Sequence, residues 1–212
     1  ATGRPPGSGV PVVDTMRDRV IRVTLLPGVM GSNLVQRGKR RDDAVKWLLD
    51  SNGAAGEWAL PTRTASYRKR YLTPTAMDVD IGGAVPEGTT MPAEELRRRG
   101  WGEVGALSYA TFLVWLENAL NDFDQAKSGE RATLIGQALG AMKGEEPLSK
   151  DEVALSYRYR FPVHACGYNW LADNAVSAKR LAKRIDDVIA RYRAEKKKCE
   201  KVILVSHSMG GL

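Results

Sequence analysis

The chain has 212 residues, 43% of them hydrophobic, which suits one globular domain with a real core. Its formal net charge of +7 favours anionic lipid surfaces, and its basic runs at Arg37 to Arg41, Arg68-Lys69-Arg70, Arg97-Arg98-Arg99 and Lys196-Lys197-Lys198 lack the aromatic interleaving or helix-turn-helix pattern of a nucleic-acid binder. No H-E-x-x-H, paired-cysteine, Walker or dinucleotide glycine pattern occurs, so no metal or other cofactor is expected, and no stretch has the length of a membrane-spanning helix or the apolar core of a signal peptide.

In chain order, residues 1–18 read as a flexible lead punctuated by Pro5-Pro6-Gly7. Arg19 to Leu26, increasingly apolar and β-branched, reads as a strand entering a core. It breaks at Pro27-Gly28, followed by Val29-Met30-Gly31-Ser32-Asn33. Proline and glycine directly after a buried strand force a tight turn and leave backbone N–H groups facing out, the donors that a tetrahedral intermediate needs for its oxyanion.

Residues 36–159 read as a large, mainly helical cap or lid insertion. Gln36 to Gly88 holds Trp47, Trp58 and short strand-like pieces such as Met77 to Ile81, with no sustained period. Leu107 to Phe123 is the best helix of this part, with Phe112, Trp115, Leu116, Ala119, Leu120 and Phe123 on one face. Ser108 is the expected N-cap, and Leu107 with Phe112 the expected hydrophobic staple. Glu130 to Met142 and Ser149 to Tyr157 read as two further helices.

Arg160 to Cys166 then reads as a buried strand with Gly167-Tyr168-Asn169-Trp170 as its exit loop. Asp173 or Asn174 caps a long helix running to about Lys197, with Leu181, Ile185, Val188, Ile189 and Tyr192 on its apolar face. Val202 to Val205 is a fully buried parallel strand by its aliphatic run. Ser206-His207-Ser208-Met209-Gly210 follows, a small-x-Ser-x-Gly turn that lifts one serine hydroxyl above a sheet. Small residues flank that serine because the backbone reverses tightly. Ser208 is therefore the candidate nucleophile, with Gly28, Ser206 and Gly210 supporting the two turns.

Strand, insertion, strand, helix, strand implies a parallel sheet, whose functional loops sit at the C-terminal strand ends. That brings Gly28-Val29, Tyr168 to Trp170 and Ser208 to one rim, where Tyr168 and Trp170 are candidate substrate-lining residues. Cys166 and Cys199 fall at opposite edges of such a sheet, so free thiols are expected. A serine hydroxyl needs a base within reach, and the two histidines, His164 within a strand and His207 within the turn, both read as structural.

The Pro-Gly-Val-Met-Gly-Ser turn, Tyr168-Asn169-Trp170, the helix start from Asn174 and Ser-His-Ser-Met-Gly-Gly together resemble the lecithin:cholesterol acyltransferase-like and PGAP1-like lipases. These are α/β-hydrolases with large cap insertions; bacterial members of the group include lipases, esterases, phospholipases and type VI secretion effectors. The resemblance implies that residues 19–35 and 160–212 form the N-terminal part of an α/β-hydrolase core. It implies Ser208 as nucleophile, the backbone N–H groups of Val29 and Met209 as the oxyanion hole, and an Asp or Glu and then a His beyond Leu212, on a further segment or a second polypeptide. Two departures stand out: Ser206 replaces the commoner glycine, and Asn169 stands where many relatives carry aspartate. The implied activity is cleavage of a lipid or other hydrophobic ester. A catalytically inactive binding module and an acyltransferase to an alcohol are the alternatives. The chain is expected to be soluble, with its compartment open and secretion or export compatible.

Overall fold

The structure, a computed structural model, describes residues 19–122, 129–138, 140 and 144–212. The expected lead, and the expected helix ends at Phe123 and Met142, lie outside the described residues. In chain order the strands are β1 (Arg19–Leu26), β2 (Leu34–Gln36), β3 (Lys46–Trp47), β4 (Met77–Val79), β5 (Tyr159–Arg160), β6 (Val163–Ala165) and β7 (Lys198–Ser206). The helices are α1 (Asn52–Gly56), α2 (Ala65–Tyr71), α3 (Ala93–Arg98), α4 (Ala106–Leu120), α5 (Glu130–Thr133), α6 (Lys150–Ser156) and α7 (Asn174–Ala194).

β1 is the centre of a parallel sheet. Its Val23 lies beside Val163 of β6 on one side and Ile203 of β7 on the other. The expected strand at 160–166 is split into β5 and β6 because Pro162 has no N–H for the ladder; its carbonyl still accepts from Val23 N at 3.1 Å. Alternate residues of β1 feed two cores. Val23 and Leu25 pack with Leu96, Trp101, Tyr109, Leu113 and Ala165, so α3 and α4 cover one face. Val20 packs with Val188 and Tyr192 of α7 and with Cys199 on the other. Cys199 lies beside Val20 and the Cys166 N–H bonds the Leu25 carbonyl. The two free, buried thiols are therefore most of β1 apart, well outside disulfide reach.

β7 differs from its expected full burial: Ile203 is 45% and Leu204 48% exposed. Among the described residues it pairs only with β1, so one edge is open, while Val205 still packs against the core. Residues 36–159 contain all but Leu34 and Val35 of a separate antiparallel sheet of order β3-β2-β4, closed by a cluster of Leu34, Trp47, Trp58, Met77 and Val79. They also contain α3 and α4, which pack on the parallel sheet itself.

Gly105, not Ser108, is the N-cap of α4. The helix's free N–H groups are met from far along the chain: Ala106 N–H by the Asp50 carboxylate at 3.2 Å and Leu107 N–H by the Leu49 carbonyl at 3.0 Å. With its start capped this way a local serine is unnecessary. The expected helix over 130–142 is one turn, α5; Gly136 adopts φ 80 and its N–H bonds the Leu148 carbonyl at 2.8 Å, diverting the chain. α6 begins with a capping box between Ser149 and Glu152, and α7 is capped by Asp173.

Candidate active site

The C-terminal ends of β1, β6 and β7 share one rim of the sheet, the edge at which α/β proteins bind ligands. β7 leaves the sheet through His207, whose N–H bonds the Leu26 carbonyl at 3.1 Å. The next residue, Ser208, is exposed and takes the left-handed conformation, φ 53. A non-glycine residue there costs energy and is held only where the surroundings over-determine it. A 3₁₀ turn over Ser208–Gly211 follows. Gly210 is required by contact: a Cβ would sit 2.6 Å from the Pro27 carbonyl oxygen and 2.8 Å from that of Leu26. Ser206 lies under the same turn, its Oγ 3.2 Å from where a Gly211 Cβ would be.

The turn after β1 faces this elbow. Gly31 N–H closes it on the Gly28 carbonyl at 3.0 Å, with Met30 left-handed at φ 63. The Trp47 indole donates to the Met30 carbonyl at 3.0 Å, tying the turn to the antiparallel sheet. A Cβ on Gly28 would lie 3.2 Å from Ser208 Cβ, so the two turns are in near contact. Gly28 N–H bonds the Tyr109 hydroxyl at 2.9 Å. Among the described residues no acceptor takes the N–H of Val29 or Met209. Val29 is half exposed and Met209 partly buried.

Tyr168 is 4% exposed. Its hydroxyl donates to the Pro27 carbonyl at 2.9 Å and its N–H to Ser32 Oγ at 3.0 Å. Burial, with repulsion from Tyr109 added, pushes its phenol pKa up, so it remains a donor. The expectation that Tyr168 lines a substrate surface is corrected: it braces the turn from below. Trp170 packs edge-on against Trp47, ring centroids 5.3 Å apart, with its indole N–H 3.4 Å from the Ser32 carbonyl; it too supports the turn. Asn169 donates to the carbonyls of Pro74 at 3.2 Å and Met77 at 3.0 Å, bonds that a carboxylate could not make.

His164 lies away from Ser208, on the α7 face of the sheet. It is fully buried, 3.2 Å from the Tyr192 hydroxyl. Burial first, and then the cations Arg22, Arg99, Arg191 and Arg184, hold its pKa well below the usual imidazole value. Glu103, 3% exposed, accepts from Arg180 at 3.1 Å, from Arg184 and from Gly167 N–H at 3.2 Å, fixing α7 to the exit of β6. His207 turns its ring to Tyr109, Nδ1 lying 2.9 Å from the hydroxyl. Among the described residues no group of three or more His, Cys, Asp or Glu could hold a metal, and no helix is long and apolar enough to cross a membrane. A cleft of about 730 Å³ lined by Trp115, Asn121, Arg160 and Lys197 opens at the N-terminal strand ends, on the rim opposite Ser208.

Tyr109 was missing from the sequence reading of this site. The signal was present: Tyr109 and Leu113 continue, at helical spacing, the line through Leu116 and Leu120 of the expected apolar face.

Fold and site together define an α/β protein with a parallel sheet that presents a serine on a sharp strand-end turn. No protein-family model and no curated protein matches the chain. Among solved structures it is similar to a chain in the crystal structure of the Tle4–Tli4 complex, at 29% identity and a TM-score of 0.74, over 90% of this chain and 41% of that one. This chain thus spans 41% of the length of that solved chain.

Proposed function

We propose that the chain carries the nucleophile half of a serine ester hydrolase. The observation that carries this reading is Ser208: exposed, left-handed at φ 53 directly after a nine-residue parallel strand, and nearly touching the turn after β1. In the proposed reaction the Ser208 hydroxyl attacks an ester carbonyl. The N–H groups of Val29 and Met209 hold the oxyanion, the alcohol leaves, and water releases the acyl group. The acid and the histidine base lie outside these residues, on a segment that extends the sheet from the open edge of β7, an unpaired strand edge being a ready template for a further strand.

A hydrophobic ester such as a lipid suits the rim, where Val29 is 50%, Met30 43% and Leu107 53% exposed. The net charge of +7 favours approach to an anionic membrane. The solved chain that it resembles belongs to a Tle4–Tli4 complex, which supports a protein partner for this chain as well.

The test is labelling with a fluorophosphonate probe of the complete polypeptide that contains this chain. Ser208 should be the modified residue, and Ser208→Ala should abolish both labelling and ester turnover. An unmodified Ser208, with a control hydrolase labelled in the same tube, would leave a binding module as the function.

A further inference from the structure

We infer that Tyr109 is a positioning residue for the reaction at Ser208, its hydroxyl fixing the spacing between the turn after β1 and the nucleophile turn; this rests on the reading of Ser208 as nucleophile. The phenol oxygen accepts the Gly28 N–H at 2.9 Å and lies 2.9 Å from His207 Nδ1. A hydroxyl that accepts through its lone pairs keeps its proton to give. That proton and His207 Nδ1 share the 2.9 Å contact, the donor being set by the imidazole tautomer. One oxygen thereby ties the residue before Val29 to the residue before Ser208. The oxyanion donor and the nucleophile are each one peptide away from a group that Tyr109 holds.

The anchor is rigid. Tyr109 is 8% exposed on α4 and packs in the core with Leu113, Val23, Leu25 and Ala165. Its ring stands edge-on to His207, centroids 6.0 Å apart at 66°. Two glycines make room for it. A Cβ at Gly31 would meet the Tyr109 hydroxyl at 2.8 Å, and one at Gly28 would meet His207 Nδ1 at 3.0 Å. The Gly28 N–H, already bonded, is withdrawn from any oxyanion, which leaves Val29 as the donor on this side. Each turn also has a backbone bond of its own, Gly31 N–H to Gly28 and His207 N–H to Leu26. Removing the phenol oxygen therefore loosens the spacing of the turns and spares their existence. A misplacement of about 1 Å in such a constellation slows reaction on the order of 10²-fold.

The experiment compares wild type, Tyr109→Phe and Ser208→Ala in the complete polypeptide, with p-nitrophenyl esters for turnover and a fluorophosphonate for the rate of serine modification. Tyr109→Phe should lower kcat about 10- to 100-fold with KM changed less than about twofold, and slow serine modification in parallel. A Tyr109→Phe enzyme with kcat within about twofold of wild type overturns the inference and leaves the nucleophile reading standing. A wild-type protein that neither turns over nor labels removes the nucleophile reading, and this inference with it. Should Tyr109→Phe fail to fold, His207→Ala cuts the other end of the same tie at an exposed position. Its kcat should fall about 10- to 100-fold with serine modification slowed in parallel; a kcat within about twofold of wild type refutes the role.

Discussion

Glycine and alanine at position 208 separate the strain stored in the nucleophile turn from the chemistry of its hydroxyl. Ser208 sits at φ 53, where an L-residue loses roughly 1–2 kcal/mol to the clash of its Cβ with the following carbonyl. Alanine keeps that Cβ and glycine lacks it, while glycine forfeits about 0.5–1 kcal/mol of backbone entropy on folding. Ser208→Gly should therefore be more stable than Ser208→Ala by about 0.5–1 kcal/mol, a factor of about 2–5 in the unfolding equilibrium. Both variants lose the hydroxyl and should be inert to a fluorophosphonate. Urea unfolding followed by tryptophan fluorescence gives the comparison, provided both variants share one m-value. A glycine variant less stable than the alanine variant would refute the reading that the turn stores strain at position 208.

Two further predictions concern the surroundings of the site. Gly210→Ala should lower stability by about 1–3 kcal/mol and abolish serine modification, because its methyl meets two backbone carbonyls at 2.6 and 2.8 Å; Gly211→Ala, which meets only Ser206 Oγ at 3.2 Å, should be milder in a urea titration. His164, held neutral by burial and neighbouring arginines, makes stability depend on pH. Below the ordinary imidazole pKa the unfolded chain takes up a proton that the folded chain refuses. Stability from this group is thus complete above pH ~6.5 and falls as pH drops below it, by up to about 1.4 kcal/mol per unit until the lower folded pKa is reached. The difference in unfolding free energy between wild type and His164→Asn, measured from pH 7.5 to 4.5, should carry that slope; parallel curves would refute it.

Much of the sheet could be read from the residues. β1 spans the expected Arg19–Leu26, and the helix capped by Asp173 lies where its apolar period put it. Both are signals carried by consecutive residues. What escaped was set by distant ones. The start of α4 is capped by Leu49 and Asp50, more than fifty residues upstream, so no local pattern announces it. Helical spacing draws the apolar face of α4 through Phe112, Trp115, Leu116, Ala119, Leu120 and Phe123; yet Trp115 is 53% exposed, and the polar-tipped Tyr109 turns inward because two partners await its hydroxyl. Tyr168 is expected to line the substrate because its loop falls on the functional rim. Its loop position was legible, but the Pro27 carbonyl that draws its hydroxyl under the turn was not. The departure at Asn169 was visible in the residues, and its two carbonyl partners in the β4 region supply the reason for an amide there.

Cys166 and Cys199 have a practical consequence for following the turn after β1 in solution. Both are fully buried, and burial pushes both thiols above their ordinary pKa. Alkylation proceeds through the thiolate, so neither sulfur should react while the chain is folded. A Val29→Cys substitution, at a half-exposed position, would then be the only thiol of these 212 residues open to a maleimide. A fluorophore or spin label could be seated beside Ser208 without first deleting the native cysteines, and its signal would report directly on whether the turn moves when an ester arrives.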